Sequence, residues 1–172
     1  MGIPPESVAL LQAEQIDLYV ATVPKSTFFA LGLVVIAALM LFSAFFSSSE
    51  IALFSLASHR IETLAETGAT GADTLKELRD DPHRLLITIL VGNNIVNIAM
   101  SSIATGVFAL YLTQGQAVAV ATFGITAIVL LFGESAPKSY AVENTESWSL
   151  RVARPLRWPS TSSTRSSSSS TT

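Results

Sequence analysis

The chain has 172 residues, of which 49% are hydrophobic and 13% charged, with a formal net charge of −3. Soluble domains carry about 25% charged residues, so the composition argues against an ordinary soluble fold, and the acidic balance gives no footing for a nucleic-acid partner. Without cysteine there are no disulfides, no thiolate metal sites and no cysteine nucleophile.

The charge is missing from two places. No Asp, Glu, Lys, Arg or His occurs from Ser26 to Ser49, and none from Leu85 to Gly133. The second stretch is too long for one membrane span and long enough for two spans with a turn. The pattern predicts an all-α membrane protein with three transmembrane helices, amphipathic cytoplasmic linker helices and a juxtamembrane helix.

In chain order, residues 1–25 read as an extracellular segment. It lacks the basic start of a signal peptide, and Val8, Leu11, Ile16 and Val20 suit a short interfacial helix between Pro5 and Ala21. The first span is predicted from Thr27 to Glu50, roughly 36 Å of helix, continuing through Ile51 to Ser58. Between Arg60 and Arg84, Ile61, Leu64, Leu75 and Leu78 keep helical spacing broken at Gly68 and Gly71, which predicts two short amphipathic helices. Asp81-Pro82 resembles a helix start. The second span is predicted from Leu85 to Leu112, a turn over Thr113 to Gln116, and the third span from Ala117 to Phe132. Pro137 is expected to end or kink that helix. A polar helix within Tyr140 to Trp158 is expected along the interface.

Basic residues set the orientation. Arg60, Lys76, Arg79 and Arg84 lie between spans one and two, and Lys138, Arg151, Arg154 and Arg157 follow span three. The N-terminal segment has Lys25 beside three acids, and the turn between spans two and three is uncharged. The reading is a multi-pass cell-membrane protein with its N-terminus outside and its C-terminus in the cytoplasm. Residues 158–172 are rich in Ser and Thr, a composition that builds no core and is expected to be disordered.

Polar side chains are costly in hydrocarbon and usually face a bundle interior or cavity. Three groups stand out within the spans. Ser43, Ser47 and Glu50 share one helix face, beside Ser48 and Ser49. Asn93, Asn94 and Asn97 follow Gly92, and the row of Asn93 and Asn97 continues through Ser101 and Thr105. Gly133 and Glu134 precede Pro137 and Lys138, where proline removes a backbone donor and frees a carbonyl near the acid. Each group also has a plainer reading. The serines and amides can serve helix packing, and Glu134 can pair with Lys138 four residues on.

All the candidate ligands are oxygen, as hard cations prefer, and ligand chemistry alone leaves Mg²⁺, Na⁺ and Ca²⁺ open. His59 and His83 fall in the polar loop, which disfavours Zn²⁺ and Cu⁺. No nucleophile–base pair lies within the spans, so the chain is not read as an enzyme.

Phe46-Ser47-Ser48-Ser49-Glu50-Ile51-Ala52-Leu53 resembles the motif that ends the first helix of the CNNM/CorC family. Asp81-Pro82 with Leu85-Leu86 and Gly92-Asn93 resembles its second helix, and Gly133-Glu134 with Pro137-Lys138 the close of its third. The order and spacing agree over roughly Phe28 to Ala153, matching the family's transmembrane (DUF21) domain, here assigned to residues 26–157. The resemblance implies a homodimer of three-span subunits in the lipid bilayer and Mg²⁺ transport, as export exchanged for Na⁺. It places the Mg²⁺ ligands at Ser47, Asn93, Asn97 and Glu134.

With Ser43 and Gly133 from the residue clusters, the candidate metal set is Ser43, Ser47, Asn93, Asn97, Gly133 and Glu134. Ser48 departs from the family's usual glycine. The family's CBS pair and CorC domain are not expected here, so nucleotide binding is not expected either. The abrupt change after Arg157 fits either a low-complexity cytoplasmic tail or a frameshifted or truncated gene that stops at the membrane domain. The competing function is a non-transporting membrane anchor or sensor whose polar residues only pack helices.

Overall fold

The computed structural model describes residues 24–156, and every regular element among them is helical. The expected interfacial helix before residue 22 and the tail over 158–172 lie outside the described residues. Among the described residues, three helices are long and apolar enough to cross a membrane: α1 (Lys25–Ser55), α4 (Pro82–Phe108) and α5 (Gln114–Glu143). Two short helices, α2 (Ser58–Glu66) and α3 (Ala72–Asp80), join α1 to α4, and α6 (Thr145–Leu156) follows α5. At 31 residues, α1 is roughly 46 Å long, so its ends pass beyond a hydrocarbon core of about 30 Å.

Local sequence explains most boundaries. Asp81 Oδ1 accepts from the Arg84 N–H (3.1 Å), capping α4, and Pro82 occupies the first helical position, where no N–H is needed. Thr113 precedes α5, and its N–H donates to Gln116 Oε1 at 3.2 Å, half of a capping box. That cap corrects the expected boundaries: α4 stops at Phe108 and α5 starts at Gln114.

Of the two outcomes expected at Pro137, an end to the helix is excluded: α5 continues to Glu143. Residues Ala121–Ile125 and Val129–Ser135 are π-helical, and a regular α-helical segment begins at Ala136 with Pro137 in its first turn. The helix thus passes through the proline at a junction between π-helical and α-helical turns.

The chain packs as two compact units. The first takes the described residues up to Ser43 together with Asn94–Gly133, from α1, α4 and α5. Its outward faces carry Leu41, Ile98, Phe123 and Phe132, all more than half exposed. Apolar area of that extent suits lipid as solvent rather than water. Inside this unit Gly32 packs against Val107, and Phe29 meets Tyr111 edge to face at 5.4 Å.

The second unit takes Ala44–Asn93 and the chain from Glu134 onward. Its core joins Leu53 and Leu56 to Ile61, Leu64, Leu75 and Val152, so α2, α3 and α6 pack around the end of α1. Burying each such side chain contributes about 2 kcal/mol where the alternative is water. Arg79 of α3 donates to the Leu53 carbonyl, satisfying one of the last acceptors of α1, and its guanidinium lies 5.7 Å from the Phe54 ring centroid. Gly71, at φ 95°, lets α3 start directly beneath the Leu150 carbonyl of α6.

Candidate functional site

The first unit brings three candidate residues together. Ser43 is buried in α1, and its hydroxyl donates to Asn97 Oδ1 of α4 at 3.1 Å. Gly133 of α5 is buried against the same serine: a Cβ there would stand 3.0 Å from Ser43 Oγ and 3.2 Å from Met40 Sδ. The absence of a side chain at Gly133 therefore sets the approach of α5 to α1 in this unit. Its carbonyl has a further property. The residue that would donate to it in an α-helix is Pro137, which has no N–H. Gly133 also lies within the π-helical turn Val129–Ser135, and such turns recur at functional sites.

The second unit holds Ser47, Asn93, Glu134 and the acid Glu50. Ser47, Ser48 and Ser49 are all buried. Ser48 and Ser49 donate to the Phe45 carbonyl of their own helix, at 3.1 and 2.6 Å. Ser47 differs: its buried Oγ has no hydrogen-bond partner among the described residues. An unsatisfied buried hydroxyl costs about 1–3 kcal/mol, and helix packing gives no reason to keep one.

Asn93 is half-buried, whereas Asn94 is exposed. Just before them, Gly92 packs under Phe46, where a Cβ would lie 2.7 Å from the ring. Gly92 is thus a packing residue for α1 and α4 in this unit.

Glu134 accepts from Lys138 Nζ at 3.0 Å, the pairing that its i,i+4 spacing allows. Lys138 also lies 3.4 Å from Glu50 Oε2 of α1. That second contact was not legible from spacing, because Glu50 and Lys138 lie far apart in sequence. No group of three or more His, Cys, Asp or Glu suited to a metal occurs among the described residues. The oxygens on offer are hydroxyls, amides, a backbone carbonyl and two carboxylates sharing one ammonium. Oxygens of this kind suit a hard cation.

Residues 33–162 match the family model CNNM, the Cyclin M transmembrane N-terminal domain. The chain belongs to the CNNM family. Its similarity to a UPF0053 protein of Haemophilus influenzae is 36% identity over 147 residues, covering 80% of this chain and 34% of that protein. The UPF0053 inner membrane protein YfjD of Escherichia coli is 37% identical over 99 residues, 58% of this chain and 23% of the relative. A protein named metal transporter cnnm-1 in Caenorhabditis elegans is 32% identical over 130 residues, 70% of this chain and 14% of that protein. The chain thus spans about a third or less of the length of these relatives. It is a CNNM membrane domain, with three helices among the described residues long and apolar enough to span a bilayer.

Proposed function

We propose that this CNNM domain is the transmembrane core of a magnesium transporter, exporting Mg²⁺ in exchange for Na⁺ and working as a homodimer. Its N-terminus lies outside and its C-terminus in the cytoplasm, a reading supported by the basic residues that α2, α3 and α6 carry. Its candidate oxygen ligands are Ser43, Asn97 and the Gly133 carbonyl in the first unit and Ser47, Asn93 and Glu134 in the second. The observation that carries the reading is the Ser47 hydroxyl, buried in α1 with no hydrogen-bond partner among the described residues. A buried hydroxyl without such a partner in a membrane helix has a use if a cation is its intermittent partner. The name of the C. elegans relative supports a metal as cargo, and the oxygen character of the candidate ligands supports a hard one.

A second reading, a membrane anchor or sensor, draws on one contact. The Ser43–Asn97 hydrogen bond is the kind that holds membrane helices together without any ion.

The two readings part in proteoliposomes loaded with a fluorescent Mg²⁺ indicator. Transport predicts Mg²⁺ flux that depends on a Na⁺ gradient and is lost in Ser47→Ala and Glu134→Gln while dimers persist. Flux unchanged in both variants would remove the site assignment. Absence of flux in the parent chain, with intact assembly, would favour the anchor.

A further inference from the structure

Lys138 is the strongest feature left unused. It carries one positive charge between two carboxylates, Glu134 at 3.0 Å and Glu50 at 3.4 Å, and the three side chains are 30%, 38% and 41% exposed respectively. We propose that Lys138 is a tethered competing cation, which neutralises Glu134 when no ion is bound and moves wholly to Glu50 when a divalent cation takes Glu134. This rests on the reading of Glu134 as a cation ligand.

Three features of the geometry support it. The trio sums to one negative charge, so it attracts a cation even with the lysine in place. An ammonium has three donors and two carboxylates within reach, so releasing Glu134 does not leave it stranded. None of the three side chains is sealed off by protein, so the lysine can leave Glu134 without breaking a closed pair. A lysine meant only to lock the helices would sit better in a dry, closed pair. Glu50 is then a positioning residue: it holds the displaced lysine and need not touch the ion.

The test is Mg²⁺ affinity, read as the midpoint of thermal stabilisation of the full chain in detergent during MgCl₂ titration. Lys138→Met and Lys138→Gln should each tighten the midpoint about three- to tenfold, because one competitor is gone. Lys138→Arg, which keeps the charge, should stay within about twofold. Glu50→Gln should weaken Mg²⁺ binding in the parent background and have no effect in Lys138→Met, since its influence runs through the lysine.

An unchanged or weakened midpoint in both neutral variants overturns the proposal, as does a Glu50→Gln effect that persists without the lysine. Glu134→Gln is the control. If it leaves the Mg²⁺ response intact, the ligand reading itself fails. If it abolishes the response while the lysine variants do nothing, only the competitor role is lost.

Discussion

Two buried serines one turn apart on α1 should respond in opposite directions to the same change. Ser47 is 2% exposed and its hydroxyl has no partner among the described residues. Removing an unsatisfied buried hydroxyl recovers desolvation energy of about 1 kcal/mol, the lower end of the usual range. Ser43 is 1% exposed and donates to Asn97. Its loss removes a bond worth about 0.6 kcal/mol in membrane proteins and leaves Asn97 Oδ1 without that donor.

For a chain of this size, 1 kcal/mol moves Tm by roughly 2–4 °C. Without divalent ions, Ser47→Ala should therefore raise Tm by about 2–4 °C, and Ser43→Ala should lower it by a few degrees. In saturating Mg²⁺ the order changes, because a ligand at a hundred times its Kd stabilises by about 2.7 kcal/mol and Ser47→Ala forfeits much of that gain. Thermal unfolding followed by tryptophan fluorescence in both conditions is sufficient. If Ser47→Ala destabilises the ion-free protein as much as Ser43→Ala does, the hydroxyl is already bonded and the central argument is wrong.

Three other outcomes follow from the second unit. Gly71→Ala places a Cβ 2.7 Å from the Leu150 backbone oxygen at a φ of 95°, and should cost about 1–3 kcal/mol. Gly68→Ala has open space and a φ of 70°, and should cost only about 1 kcal/mol; equal losses in thermal unfolding would show that the Leu150 contact is immaterial. Arg60 and Glu146 pair at 2.7 Å, and the hydrogen bond from Arg60 holds the Glu146 carboxyl below its ordinary value of 4.5. A depressed carboxylate contributes stability above its unfolded pKa and loses it as pH falls through the folded value. Docking of α6 should thus weaken below about pH 4.5, and Glu146→Gln should flatten that dependence in hydrogen-exchange measurements on α6.

Much of this architecture was legible in the sequence because hydrocarbon imposes a coarse rule. Charge-free runs located α1, α4 and α5, and Gly68 and Gly71 divided α2 from α3 where the structure divides them. The ends were less legible. The turn before α5 depends on the Thr113–Gln116 cap, a three-residue relation inside an apolar run. The passage of α5 through Pro137 depends on π-helical turns, which have no hydrophobic period to read. The Glu134–Lys138 pair followed from spacing, but Glu50–Lys138 and Ser43–Asn97 are tertiary facts, set by how helices are rotated about their axes. The unpartnered state of Ser47, beside two serines that bond their own helix, is invisible to sequence: the three differ only in the direction each faces.

The Arg79 contact with Leu53 has a mechanical side. A helix normally ends on its own terms, its last acceptors dissolved in water or tied by its neighbours in sequence. Here the first span is finished by a guanidinium 26 positions further along. The loop on that side of the membrane behaves as a strut and not as slack rope: lifting α3 uncovers an acceptor of α1, so a load applied to α3 is felt at the end of the span.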